Sequence, residues 1–432
     1  MDSALLYGYF LQYPTISTDT RNIHPDSLFF ALKGEHFNGN AFAAEALEKG
    51  AAYTVIDEPQ YQQDERCLLV ADVLTALQEL ARYHRDQLRI PIVGITGTNG
   101  KTTTKELIHA VLSQQFNTYA TKGNLNNHIG VPLSILSITA QTELAIIEMG
   151  ANHVGEIALL CGIAQPTHGL ITNVGKAHLE GFGSLEGVKK AKGELYDYLA
   201  THGGTLFLQN DNALLREMAA ARNIQVVTYG FSVENNVVGE LVSADPLLNI
   251  RWTSEADPSQ HMVHTQLTGS YNTENILAAI SVGLHFNVSP TKIDQGITGY
   301  TPKNNRSQLT KTAHNTVICD YYNANATSMA AALDNLRIVN ADRKVIILGD
   351  MFELGAESYT EHRQVVQHAR SLDAHRLIFV GNAFFEHRFD GAEFYKTTAE
   401  VGDALRQHPV IDALVLLKAS RGMAFEQLIS YL

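Results

Sequence analysis

The sequence predicts an α/β protein in three domains: a small α/β N-terminal domain at residues 1–85, a central P-loop ATPase-like domain at 86–300 and a C-terminal Rossmann-like domain at 301–432. Two observations carry that expectation. The stretch Gly94-Ile95-Thr96-Gly97-Thr98-Asn99-Gly100-Lys101-Thr102-Thr103 stands between a strand-like run and an amphipathic helix, the context a phosphate-binding loop requires. After the turn-rich linker Thr301-Pro302-Lys303-Asn304-Asn305-Arg306, short apolar runs alternate with helical patterns, the signature of βα units on a mainly parallel sheet.

In the first domain, Leu28-Phe29-Phe30-Ala31-Leu32 is strand-like, Ala43 to Lys49 is a short helix closed by Gly50, and Tyr53 to Ile56 is the next strand. Val73 to Leu88 is amphipathic and leads into Pro91. The polar cluster Ser17 to Arg21 and the turn Lys33 to Asn40 read, on residue type alone, as solvated loops. In the central domain, Ile90 to Val93 is a short strand, and Leu107, Ile108, Val111 and Leu112 share one helical face after the Gly-rich turn. Glu143 to Gly150 is a buried strand with Glu148 near its carboxyl end, where open α/β sheets bind ligands. An acid there, beside a phosphate loop, is a candidate metal ligand. Gly169 to Val174 is a strand that runs into a polar Gly-rich loop, Gly175 to Ser184. The helix Leu185 to Leu199 carries Lys189, Lys190 and Lys192, which by type alone read as a solvated face. Asn275 to Phe286 is an apolar helix preceded by Gly269-Ser270-Tyr271-Asn272. In the third domain, strands Val317–Asp320, Val345–Gly349, Leu377–Val380 and Ala413–Leu417 alternate with helices Met329–Val339, Glu361–Leu372, Thr398–Gln407 and Phe425–Leu432.

Composition sets the outer bounds. A chain of 432 residues with 45% hydrophobic content is long enough for several cores and is not disordered. No apolar run reaches a membrane span, and Met1-Asp2-Ser3 lacks the basic n-region of a signal peptide. Cys67, Cys161 and Cys319 are far apart and odd in number. Neither a disulfide framework nor a zinc spacing is expected, and a reducing cytoplasm is the natural compartment. The net charge of −13 argues against nucleic-acid and membrane partners, while a local phosphate site remains compatible with it.

The chemistry concentrates in the loop. Its glycines let the backbone turn tightly and present N–H groups to a phosphate, and the helix that follows adds a partial positive charge. Gly97, Thr98, Asn99, Gly100, Lys101, Thr102 and Thr103 are the candidate nucleotide-binding residues. Lys101 is placed to reach the terminal phosphates and the Thr102 hydroxyl to hold Mg²⁺. The spacing departs from the strict P-loop pattern, because Ile95 occupies its first glycine position and Gly94 sits one residue early.

The loop resembles that of the Mur ligases, which join amino acids or peptides to a UDP-muramoyl precursor of the bacterial cell wall. The likeness extends over Asp19 to Gly422 through Gly123-Asn124-Leu125-Asn126-Asn127-His128, Glu148-Met149-Gly150-Ala151, Ala177-His178-Leu179-Glu180-Gly181-Phe182-Gly183-Ser184, Ala191-Lys192-Gly193-Glu194 and Leu348-Gly349-Asp350-Met351-Phe352-Glu353-Leu354-Gly355. It is nearest to the branch that adds D-alanyl-D-alanine to UDP-N-acetylmuramoyl-tripeptide. The Asp-Asn-Pro-Arg motif of the sister branch, which adds the third residue, is missing.

The resemblance implies ATP-dependent amide ligation in peptidoglycan precursor synthesis, with ATP and two Mg²⁺ ions as cofactors and a monomeric, cytoplasmic enzyme acting on small molecules. Thr102 and Glu148 would bind one Mg²⁺; His178 and a carbamylated Lys192 would serve the second. Asn272 and Asn275 would lie beside the adenine, and Arg306 and Asp320 would reach ATP from the third domain. Asp19, Arg21, Lys33 and Gly34 resemble the UDP-binding loops; Asn124 and Asn127 belong to a substrate-side motif; Tyr322, Asn323 and Asn325 resemble the dipeptide side. Lys101, His178, Lys192 and Arg306 would be catalytic, closing around the linker near Pro302. Thr20, Asn40, Tyr271, Asn305, Cys319, Tyr321 and Ala326 depart from the family pattern. Two other readings stay open on sequence: a sister ligase adding the third amino acid, and a P-loop ATPase or switch without ligase activity.

Overall fold

The computed structural model describes residues 1–176 and 179–432, apart from the side chain of Leu179. A four-stranded parallel sheet in the order Thr15–Ser17, Ser27–Phe30, Tyr53–Ile56, Cys67–Leu69 forms the first domain. Helix Val73–Gln87 leaves it, capped by Asp72, whose carboxylate accepts from the Thr75 N–H. This helix buries Val73, Leu77, Leu80 and Ala81 in one cluster with Val131, Ile135, Ile157 and Leu160 of the central domain. The first two domains therefore share a core.

In the central domain, Ile92–Thr96 lies between the parallel strands Leu144–Glu148 and His168–Ile171. The pleat sorts its side chains: Ile92 joins the cluster under the first domain, while Val93 and Ile95 join the opposite cluster with Leu107, Ile108 and Val111. Strands Thr205–Gln209 and Gln225–Gly230 extend the parallel sheet. Three further strands, Val237–Ala244, Leu247–Ser254 and His261–Thr268, then continue it, the last two pairings being antiparallel. One pairing, Leu267 with Gln308, joins this sheet to the third domain. There the strands run in the order Gln308–Lys311, Thr316–Asp320, Leu414–Lys418, Lys344–Gly349, Arg376–Val380, Glu393–Tyr395. All but the first of these are parallel. Val317, Val345, Ile347, Val415 and Leu417 face one layer of helices and Ile318, Ile346, Leu348 and Leu416 the other. That is the doubly wound arrangement expected of the alternating pattern.

Several elements differ from the sequence reading. The strand before the loop is Ile92–Thr96, not Ile90–Val93. Gly94 and Ile95 are therefore strand residues and the phosphate loop proper begins at Gly97; position 94 is glycine because a Cβ there would stand 2.7 Å from the Met149 methyl carbon. The last helix is a 3₁₀ helix, Phe425–Tyr431. It follows Ala424 at φ +54 and buries Phe425 and Leu428, three residues apart, on one side, as three residues per turn require. The Gly175–Ser184 segment holds a short helix, Leu179–Phe182, and the apolar helix starts at Asn272, so both asparagines ride on its first turn. The Lys33–Asn40 turn is a small hairpin pairing Lys33–Gly34 with Phe37–Asn38. An N-terminal helix, Ser3–Gln12, was not legible; Asp2 caps it and only Leu6 and Phe10 are buried. Among the described residues, no helix is long and apolar enough to cross a membrane.

Candidate active site

The chain leaves strand Ile92–Thr96 into the loop at Gly97, φ +143, and enters helix Lys101–Leu112 from Gly100, φ +80. Only glycine fits at either point. A Cβ on Gly97 would lie 2.0 Å from Thr172 Oγ1, and one on Gly100 would lie 2.8 Å from Asn275 Oδ1. The continuation of strand His168–Ile171 clamps the loop from outside. The N–H groups of Thr98 and Asn99 donate to Asn173 O and Asn173 Oδ1, both at 2.9 Å. The Asn99 carbonyl accepts from Thr172 Oγ1 at 2.6 Å and Asn173 Nδ2 at 3.1 Å. Anion binding is thus left to the first turn of helix Lys101–Leu112, with its free N–H groups and partial positive charge.

Lys101 folds back on this loop, donating to Gly97 O at 2.8 Å and Thr98 O at 3.1 Å. Burial pulls its ammonium down to about 8, against the pull of Glu148 and helped by Arg306, so it is still mostly charged at neutral pH. The Thr102 hydroxyl donates to Glu148 Oε2 at 2.9 Å, and Asn126 Nδ2 donates to Oε1 at 2.8 Å. Glu148 also donates its backbone N–H to Thr121 Oγ1 at 3.0 Å. Two hard oxygens, a hydroxyl and a fixed carboxylate, therefore meet at the end of the loop, a donor set suited to Mg²⁺.

Lys192 is not on a solvated face. It is 3% exposed, with Nζ 3.4 Å from Ala151 O and 5.3 Å from the centre of the Phe182 ring. Burial, then the charge of Lys101, pulls its ammonium down to about 7 in spite of Glu156 and Glu194. Those two carboxylates are turned to backbone N–H groups: Glu194 accepts from Gly155 and Ala158, Glu156 from Asn152 and His153.

The opposite wall joins Asn272 and Asn275 to the third domain. Asn275 Nδ2 donates to Asn272 Oδ1 at 2.8 Å, Asn272 Nδ2 to Thr268 O at 2.7 Å, and the Thr104 hydroxyl to Asn275 Oδ1 at 3.0 Å. Arg306 lies 4.0 Å over the Tyr322 ring, with Arg421 also against that ring at 5.3 Å. Asp320 accepts from Lys418 Nζ at 2.6 Å and from the Ser307 N–H at 3.4 Å. The Lys418 side chain is 2% exposed, so Asp320→Ala leaves an uncompensated buried charge. We expect it to destabilise the protein by roughly 3 kcal/mol, with Lys418→Met costing less; thermal unfolding of the two variants checks this.

A cavity of about 690 Å³ gathers these groups, lined by Gly97–Lys101, Thr103, Asn127, Glu148, Lys192, Asn272, Asn275, Arg306, Asp320, Tyr322 and Asn323. Thr102 is buried against Glu148, and Asn325 touches the loop through Asn99. Asn124 is not a lining residue, though Asn126 and His128 of the same motif are. Asp19, Arg21, Lys33 and Gly34 stay in the first domain, away from this cavity's lining. Asp19 and Arg21 pair with each other at 2.6 Å, and Lys33 pairs with Asp57 at 3.0 Å. His178 lies outside the described residues. Sequence reasoning missed Asn126, Asn173, Lys418 and Arg421; a lysine closing an apolar strand, as Lys418 closes Leu414–Lys418, is a signal that was available. Asp350, in the Leu348–Gly355 motif, accepts from the Ala383 and Phe384 N–H groups at 2.9 Å, which is a structural role.

The chain matches three families along its length: the Mur ligase family, catalytic domain, at residues 12–85; the Mur ligase middle domain at 95–283; and the Mur ligase, glutamate ligase domain at 305–430. It is 34% identical to the UDP-N-acetylmuramoyl-tripeptide--D-alanyl-D-alanine ligase of Bacillus subtilis, over 96% of this chain and 92% of the relative. Identity to the Escherichia coli protein of the same name is also 34%, over 98% of this chain and 94% of that one. A crystal structure of MurF from Acinetobacter baumannii superposes with a TM-score of 0.86 at 31% identity, covering 96% of this chain and 92% of that one.

Proposed function

The chain belongs to the Mur ligase family, and on that premise we propose that it joins D-alanyl-D-alanine to UDP-N-acetylmuramoyl-tripeptide at the expense of ATP, as a monomeric cytoplasmic enzyme of peptidoglycan precursor synthesis. The observation that carries the mechanism is one cavity lined both by the phosphate loop and by Arg306, Asp320 and Tyr322 of the third domain.

Amide formation needs an activated acyl group. The peptide carboxylate attacks the terminal phosphorus of ATP, an O–P bond forms, and ADP leaves. The dipeptide amine then attacks the acyl phosphate; the C–N bond forms, inorganic phosphate leaves and the amine releases a proton. Carboxylate and ATP are both anionic, so the first step depends on positive charge held in place before it begins. Lys101 swings from the loop carbonyls to the terminal phosphates, and Arg306 faces them from the third domain. Asn272 and Asn275 hold the base side, and Asp320, fixed by Lys418, takes the ribose.

The residues at the loop fit Mg²⁺: Thr102 Oγ1 and the Glu148 carboxylate, which Asn126 keeps oriented, would hold one ion. A second ion would fall to Lys192, if carbamylated, with His178. An unmodified ammonium repels a cation, whereas a carbamate on the same nitrogen offers two hard oxygens. Bound there, the ions supply charge screening for the transferring phosphoryl group. The uridine end is assigned to Asp19, Arg21, Lys33 and Gly34, and the dipeptide to the Tyr322–Asn325 side, with Asn124 and Asn127 on the approach to the acyl group.

The test is phosphate release measured with each substrate omitted in turn. Release that needs ATP, UDP-N-acetylmuramoyl-tripeptide and D-alanyl-D-alanine together supports the reading. Equal release without either acceptor would instead mark a phosphate-loop ATPase.

A further inference from the structure

The loop and the third domain meet in a reciprocal amide pair. Asn325 Nδ2 donates to Asn99 Oδ1 at 2.8 Å, and Asn99 Nδ2 donates back to Asn325 Oδ1 at 3.4 Å. Each partner is anchored in its own domain. The Asn99 backbone is held on both its N–H and its carbonyl by Thr172 and Asn173. Asn325 is the N-cap of helix Ala326–Ile338, its Oδ1 accepting from the Ser328 N–H at 2.9 Å while Ser328 Oγ accepts from the Asn325 N–H at 3.1 Å. It is 6% exposed. The same helix start meets the central domain once more, where a Cβ on Gly175 would lie 3.1 Å from Thr327 Oγ1.

The phosphate loop therefore has a side chain locked onto the helix cap that follows Tyr322 and Asn323. We infer that Asn325, besides standing on the dipeptide side, is a positioning residue which couples nucleotide at the loop to that side of the third domain, acting through Asn99. Phosphate binding that fixes Asn99 also fixes the start of helix Ala326–Ile338, and by linkage a ligand ordering that helix tightens the loop. The dipeptide's part in this coupling rests on the ligase function proposed above; the nucleotide's part does not.

Asn325→Ser separates the two roles of the side chain, since serine keeps the helix cap but is too short to reach Asn99. Hydrogen–deuterium exchange of residues 326–333 is followed with and without a non-hydrolysable ATP analogue and Mg²⁺. In the unsubstituted protein the nucleotide slows exchange there roughly fivefold or more, the lower end of a typical coupling. In Asn325→Ser the effect falls below about twofold, while the loop itself remains protected. Asn99→Ala, which leaves the cap untouched, gives the same loss in 326–333. In turnover at saturating ATP, Asn325→Ser raises KM for D-alanyl-D-alanine roughly fivefold, and the double variant is no worse than the worse single one. Nucleotide protection of 326–333 that is equal in Asn325→Ser and the parent, or missing from the parent, overturns the inference. A parent that ignores D-alanyl-D-alanine overturns the ligase reading instead, and the exchange result still decides the coupling.

Discussion

Lys101→Ala lowers turnover by about two to three orders of magnitude and leaves thermal unfolding unchanged. The reason is the asymmetry of its contacts. Among the described residues its ammonium donates to the carbonyls of Gly97 and Thr98, bonds internal to the loop, so removing it costs the fold little. In the reaction proposed above it is the lysine of the loop itself that meets the charge developing on the transferring phosphoryl group. Removing one such preorganised group costs about 3 kcal/mol or more at the transition state. Steady-state phosphate release checks the rate and a melting curve checks the fold. A near-parental rate would show that the loop is not the catalytic phosphate site.

Lys192→Ala loses most activity, whereas Lys189→Ala and Lys190→Ala lose little. Lys189 pairs with Glu217 at 2.9 Å on the surface and Lys190 is exposed, so neither has a stake in the cavity. Lys192 is buried, with an ammonium drawn from 10.5 to about 7. The sign matters: a depressed lysine is neutral above that value, and only the neutral amine reacts with carbon dioxide. Carbamate formation therefore sets in as pH rises through about 7. Activity is expected to fall as pH drops below about 7, and above it to fall in carbon-dioxide-free buffer and return on adding bicarbonate. A small carboxylate added to Lys192→Ala restores part of the rate by occupying the vacated ligand position. Parental activity in Lys192→Ala would remove this lysine from the mechanism.

The parts of the site that were legible are those written in one short stretch. The phosphate loop carries its strand, turn and helix start within a few residues, and Glu148 announces itself as an acid ending an apolar strand. Lys192 was ambiguous by type, yet it sits on the buried face formed with Val188, Ala191 and Leu195, at helical spacing; periodicity held the answer that residue type obscured. Partners brought from far along the chain were not legible. Asn99 and Asn325 are 226 residues apart, and Lys418 and Asp320 are 98 apart, so only the sheet order places them together. The extension Val237–Thr268 escaped notice although Leu247–Ser254 and most of His261–Thr268 alternate buried with more exposed residues; only Val237–Ala244 breaks the two-residue pattern.

The identity of the amine decides between this branch of the family and its sister. Mass analysis of products, with D-alanyl-D-alanine plus UDP-N-acetylmuramoyl-tripeptide in one reaction and a free diamino acid plus UDP-N-acetylmuramoyl-dipeptide in another, measures it directly. The account predicts ATP-dependent formation of UDP-N-acetylmuramoyl-pentapeptide in the first and no product in the second. Product in the second reaction alone would contradict it.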